Sequence, residues 1–180
     1  MLRLFVVVFM FVSYAFGSDK YMKELESLSK DQLAVLYYTI NKGKEEGVGY
    51  ALAAIAWKES GLGKWKMNLD DGKYGSFSLY HINLEYHLSR NKIKNTSWNR
   101  SRTAEALMDD DKATDEVVEL LKYWVKYHKV SDASNRKVFA SYNGGYKPNK
   151  QANNYADDAV ARMNAIEKFS KKQTMDIANK

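Results

Sequence analysis

The sequence predicts a single all-α domain, mainly helical, with room for one small β-hairpin. Apolar residues recur at the helical spacing i, i+3, i+4, i+7 wherever a period can be read. One proline in 180 residues speaks against a turn-rich β-sandwich. No internal repeat, low-complexity stretch or Pro/Gly/Ser linker divides the chain. The length suits one domain with a sizeable core. The absence of cysteine removes disulfides, cysteine-based zinc sites, iron–sulfur clusters and thiol nucleophiles together, so packing must hold the fold.

At the N-terminus, Met1-Leu2-Arg3 precedes nine apolar residues, Leu4 to Val12, then Ser13-Tyr14-Ala15-Phe16-Gly17 and the polar Ser18-Asp19-Lys20. One positive charge, a short apolar run and small residues at 15 and 17 predict a signal peptide over 1–17, cleaved after Gly17. The competing reading is an uncleaved anchor, but a spanning helix needs about 20 apolar residues, so no stable membrane span is expected after cleavage. The expected location is outside the cytoplasm, in the periplasm or cell envelope. The net charge is +6. Nucleic acid, the usual partner of a basic intracellular domain, is scarce there and is not an expected partner. Anionic envelope polymers fit better, and a solvated mixed surface fits as well, because the charges are dispersed.

Ser29 and Gln32 form a capping-box pattern ahead of Leu33, Leu36, Tyr37 and Ile40, with Gly43 as a stop. A second helix spans about 48–60: Val48, Leu52, Ile55 and Glu59 fall on one face, and Gly61 and Gly63 end it. Lys64 to Ser76 has no sustained period and reads as a long loop or short hairpin. Further helices are expected at about 80–90, 103–108, 110–128, 134–142 and 152–170, with Val117, Leu120, Leu121, Trp124 and Val125 giving the most regular buried face. The domain is expected over 18–170, with 171–180 as a flexible tail.

Glu59 is the residue that asks for a chemical explanation, because the expected apolar face of its helix carries it inward. Burial disfavours a carboxylate, and the negative end of a helix repels it. Shielding by Trp57 or Trp65 would deepen both effects. A carboxylic acid still protonated near neutral pH is what general acid catalysis on a glycosidic oxygen requires. The competing reading is a glutamate that turns out to solvent beside Lys58.

Four blocks carry a resemblance. Ala53-Ala54-Ile55-Ala56-Trp57-Lys58-Glu59-Ser60-Gly61 resembles the catalytic-helix segment of the lysozyme-like soluble lytic transglycosylases. Gly75-Ser76-Phe77-Ser78-Leu79 stands where that family has Gly-Leu-Met-Gln-aliphatic. Phe139-Ala140-Ser141-Tyr142-Asn143-Gly144-Gly145 is similar to its Ala-Tyr-Asn-Ala-Gly signature, and Tyr155 to Val160 is similar to the start of its last helix. The order and spacing match over roughly residues 30–168. The resemblance implies a lysozyme-like domain acting as a carbon–oxygen lyase on peptidoglycan, between N-acetylmuramic acid and N-acetylglucosamine, without cofactor. Glu59 would protonate the leaving oxygen and then, as carboxylate, take the proton of the muramyl 6-hydroxyl as that oxygen attacks the anomeric carbon. The product would be a 1,6-anhydro ring, formed without water.

The resemblance implies substrate contacts from Ser60, Ser78, Tyr80, Tyr142, Asn143 and Tyr155. Ser78 departs from the family's glutamine, so water, Tyr80 or His81 would take over the contact. Tyr142 would hydrogen-bond the acid or the sugar, although Asn143-Gly144-Gly145 is also a helix stop. Tyr155 is a core or a cleft aromatic. Ser60 reads as a helix-end hydrogen bonder, since no base stands beside it at a recognisable spacing. His81, His87 and His128 lack ligand spacing, and no metal is expected. Asp70 or Asp71 could position a water, which would make the enzyme a goose-type-lysozyme-like hydrolase; a turn-forming Asp-Asp-Gly is the other reading. A peptidoglycan-binding or assembly protein without turnover also fits, as does service to an envelope-spanning secretion or conjugation machine.

Overall fold

The computed structural model describes residues 20–178; the expected signal peptide lies outside them. The fold is mainly helical with a small sheet. A helical segment, α1, covers 20–26. After it come α2 (Lys30–Lys44), α3 (Gly49–Ser60), β1 (Met67–Asn68), β2 (Ser76–Phe77), β3 (Ile82–Asn83), α4 (Leu84–Arg90), α5 (Ser97–Leu107), α6 (Asp110–His128), α7 (Arg136–Gly144) and α8 (Lys150–Ala178).

α3 is the axis of the molecule. Ala51, Ala53, Ala54 and Ala56 keep it thin, so α2 and α8 pack directly on it, and α7 packs in turn on α8. Every residue from Ala51 to Trp57 is buried. The helix therefore has no single apolar stripe, contrary to the expectation from Val48, Leu52, Ile55 and Glu59. Glu59 reaches its site because α3 runs out of the core there. The end is fixed by Gly61, whose left-handed φ of 61° lets its N–H bond back to the Trp57 carbonyl. At the other end, close approach replaces side chains: a Cβ on Gly49 would stand 2.3 Å from the Ile40 carbonyl oxygen of α2.

The caps explain most boundaries. Ser29 and Gln32 form the reciprocal capping box of α2. Asp109 accepts from the Asp111 and Lys112 N–H groups at the start of α6. Thr96 caps α5, which begins at Ser97 rather than near 103; Ser97 to Arg102 is too polar to show a period. α7 starts at Arg136 behind the Asn135 cap, two residues later than expected. α8 runs from Lys150 to Ala178, past the boundary expected at 170. The expected small hairpin is present, β1 against β2, and β3 extends it to a three-stranded antiparallel sheet, pairing Met67 with Phe77 and Phe77 with Ile82. The helix expected from Tyr80 starts only at Leu84. Ser78 (φ 84°) and His81 (φ 46°) take left-handed backbone that no helix accommodates, and Asn83 then caps α4 by accepting from the Tyr86 N–H. No helix among the described residues is long and apolar enough to cross a membrane.

Candidate active site

The end of α3, the small sheet, α6 and the end of α7 enclose a cleft of about 580 Å³. Glu59 lines it from the last turn of α3, with its side chain 19% exposed. It does not turn out beside Lys58. Lys58 turns to α8, where it meets Asp158 at 2.5 Å and lies 4.8 Å over the Tyr155 ring. Burial pushes the Glu59 carboxyl above its ordinary range, and the charge of Asp71, across the cleft, adds to the shift. The Tyr155 hydroxyl, His81 and Lys58 oppose it and are outweighed. Trp65 contributes no shielding, because its side chain is 64% exposed.

His81 stands beside the acid. Its Nδ1 lies 3.6 Å from Glu59 Oε2, a close electrostatic contact longer than a hydrogen bond. Its Nε2 lies 2.7 Å from the Trp65 carbonyl oxygen. A carbonyl can only accept, so Nε2 carries the hydrogen, and in the neutral ring Nδ1 presents a lone pair to Glu59. The left-handed backbone of His81 aims the ring this way, an instance of local strain retained at a candidate site.

Two tyrosines complete the surroundings of the acid. Tyr155 of α8 is buried, and its hydroxyl faces the Glu59 carboxyl without closing a hydrogen bond of ordinary geometry to any described residue. Tyr142 of α7 stacks on it at 6.3 Å between ring centroids. Burial, and then the charge of Glu59, raise both phenols well above their usual range, so they stay protonated donors. The Tyr142 hydroxyl donates to the Tyr80 carbonyl at 2.9 Å rather than to Glu59, which corrects the expected contact with the acid. Asn143 is exposed and lines the cleft beside Tyr142.

Three of the residues expected to touch substrate lie elsewhere. Ser60 is fully buried: its hydroxyl donates to the Ala56 carbonyl and accepts from the Gly63 N–H, both at 3.0 Å, which ties off the helix end. Ser78 is fully buried as well, since its left-handed backbone turns the hydroxyl inward to accept from the Tyr80 N–H at 3.1 Å. Tyr80 is a core residue hydrogen-bonded to Thr114 at 2.9 Å; it serves the site only through its carbonyl, which fixes Tyr142.

Sequence reasoning passed over several cleft residues. Ser76 and Trp124 line the cleft, and the Ser76 hydroxyl and the Trp124 indole N–H are buried without a hydrogen-bond partner among the described residues. The Tyr155 hydroxyl is a third such atom, behind Glu59 rather than in the cleft wall, and each such group is costly to leave unmade. Glu116 of α6 also lines the cleft, but it is held by His87 at 2.8 Å and by the Arg90 guanidinium at 3.7 Å, leaving Asp71 as the freer second carboxylate. Asp71 is held only by a long contact from Asn83, 3.4 Å, whereas the neighbouring Asp70 lies in the turn behind Asn68. No three His, Cys, Asp or Glu among the described residues are grouped to hold a metal ion. The chemistry this arrangement offers is proton transfer by one buried acid to a polar ligand in a half-open cleft.

The chain is similar to a protein of Enterobacteria phage T4 described as an uncharacterized 20.7 kDa protein in the vs-regB intergenic region: 28% identity over 149 residues, 78% of this chain and 73% of that protein. No family model matches the chain. No solved structure matches it.

Proposed function

We propose that the protein is an exported peptidoglycan lytic transglycosylase with Glu59 as its single acid and base. The observation that supports this reading is a carboxyl raised by burial at the end of the central helix, lining a half-open cleft with Asp71, His81, Tyr142 and Asn143. In the protonated form Glu59 gives its proton to the glycosidic oxygen. The resulting carboxylate then withdraws the proton of the muramyl 6-hydroxyl as that oxygen closes on the anomeric carbon. The proton returns to Glu59, and the site is reset without water. Tyr155 and His81 flank the carboxyl through both half-steps, and Asn143 stands where the acetamido group of a bound sugar would lie in this reading. The four-block resemblance supplies the substrate class, and the excess of basic side chains suits an anionic wall polymer. Residues 1–17 direct export in this reading, and the partners are glycan strands and, where local wall opening is needed, an envelope-spanning secretion or conjugation machine.

One observation favours a second reading. Asp71 is a carboxylate in the same cleft as the acid, as a hydrolase that activates water would have it. The first test is release of soluble fragments from purified peptidoglycan. The wild-type chain solubilises the wall and Glu59→Gln does not while still sedimenting with it. Equal sedimentation without release by either protein would replace catalysis with simple binding.

A further inference from the structure

A cluster of exposed aromatic rings begins where the cleft ends. Tyr123 and Tyr127, one turn apart on α6, stack at 6.3 Å between centroids with 18° between their planes. Tyr146, from the turn between α7 and α8, stands edge-on to both, at 6.3 and 5.2 Å, and 5.0 Å from Trp124 beneath them. The Tyr123 and Tyr146 hydroxyls hydrogen-bond each other. Tyr86 of α4 stands on the cleft wall that Trp124 shares. The four tyrosines are 43–61% exposed, whereas Trp124 is 2% exposed and lines the cleft together with Tyr86.

Single exposed apolar residues are ordinary on a protein surface; a contiguous patch marks contact with something. We propose that Tyr86, Tyr123, Tyr127 and Tyr146 form a platform on which the glycan strand lies beyond the bond being cleaved. This rests on the reading of the cleft as a peptidoglycan site and deepens it by assigning where the rest of the chain is held. A pyranose ring has a face of C–H bonds and a rim of hydroxyl and acetamido groups. A tyrosine matches both, because its negative ring face meets the C–H bonds and its hydroxyl reaches the rim. A glycan suits the patch better than a protein surface does because the rings adjoin the cleft: Trp124, which lines it, packs edge-on beneath Tyr123, Tyr127 and Tyr146. A strand leaving the cleft past Trp124 meets these rings next. In this arrangement Glu59 acts at one end of a longer footprint, and the enzyme distinguishes strands from short fragments.

The test uses the full chain carrying Glu59→Gln, so that nothing is cleaved, and two probes: sedimentation with purified peptidoglycan, and binding of N-acetylglucosamine hexamers and dimers. Tyr127→Ala/Tyr146→Ala weakens binding of both the wall and the hexamer by about tenfold or more and leaves the dimer within about twofold. Tyr127→Phe/Tyr146→Phe keeps most of the affinity, because the ring faces carry the contact. Both side chains lie at the surface, and an unchanged thermal midpoint checks that the variants fold. Hexamer and wall binding that survives the alanine pair overturns the platform and leaves the patch to a protein partner. If active wild type still releases wall fragments in that case, the reading of the cleft stands. If the parent binds neither probe and the wild type releases nothing, both fail together.

Discussion

Glu59 and His81 face each other across 3.6 Å with Tyr155 overhead, and where their protons sit decides what the site can do. Because burial raises the Glu59 carboxyl, the folded state binds its proton more tightly than the unfolded chain does. Stability due to this residue is therefore intact below the unfolded value, about 4.5, and declines as pH rises through the window up to the raised folded value. Glu59→Gln removes that loss. Its thermal midpoint exceeds the wild type's at pH 7–8 and matches it at pH 4, while cleavage falls by about 10²–10⁴-fold. A variant less stable than wild type at neutral pH would mean that the carboxylate is welcome where it sits. His81 is a positioning residue, and His81→Asn tests it with little backbone cost, since asparagine tolerates the left-handed region. Removing a potential cation beside the acid raises the Glu59 carboxyl further. The alkaline limb of the pH–rate profile then moves to higher pH, and the rate at its maximum falls about tenfold through lost orientation. A lower rate with an unmoved limb would give His81 a purely structural part.

At the scale of elements, α3 is held at both ends by different means. Near its end, Asp158 of α8 accepts from Lys58, Tyr21 and Arg162; burial works against its charge, but these partners hold the carboxyl down at about 2. The same contact and burial push Tyr21 up to about 12. Asp158→Asn leaves Lys58 and Arg162 short of a partner in a half-buried site and costs about 2 kcal/mol, a fall of roughly 4–8 °C in thermal midpoint at pH 7. A depressed carboxyl contributes stability above its unfolded value that is lost as pH falls through the folded one. The difference between wild type and variant therefore shrinks between about pH 4 and pH 2, and persistence to pH 2 would refute the assignment. At the start of α3 the contact is backbone to backbone. Gly49→Ala sets a methyl against the Ile40 carbonyl, pushes α2 from α3 and costs about 2–3 kcal/mol in denaturant unfolding. The elements visible in the sequence are α2, α3 and α6: the Ser29 box and Gly61 mark ends of the first two, and the regular apolar face of α6 gives its span. α5 hid behind Ser97 to Arg102, and strands of two residues are too short to show any period.

For the whole molecule, what the sequence could not show is proximity made by turns. Glu59 could be singled out because its type and helix position both bear on acidity. The sequence offers His81 only as a stand-in for the Ser78 contact and not as a neighbour of the acid, because only the left-handed turn between β2 and β3 brings it there, and the sign of φ at a non-glycine residue has no sequence mark. The same turn carries Ser78 inward and Tyr80 into the core, so motif position alone assigned them contacts that their backbone denies them. Trp124 read correctly as a core residue but is also a wall of the cleft, and the tyrosines around it converge from α6 and from the turn after α7. The central claim is that a single buried acid cleaves the glycan without water. The most direct measurement is mass spectrometry of the soluble products from purified peptidoglycan, with wild type and Glu59→Gln run side by side. Muropeptides one water lighter than their reducing counterparts, absent with the variant, are the predicted result. Reducing ends from the wild type would contradict it and turn attention to Asp71.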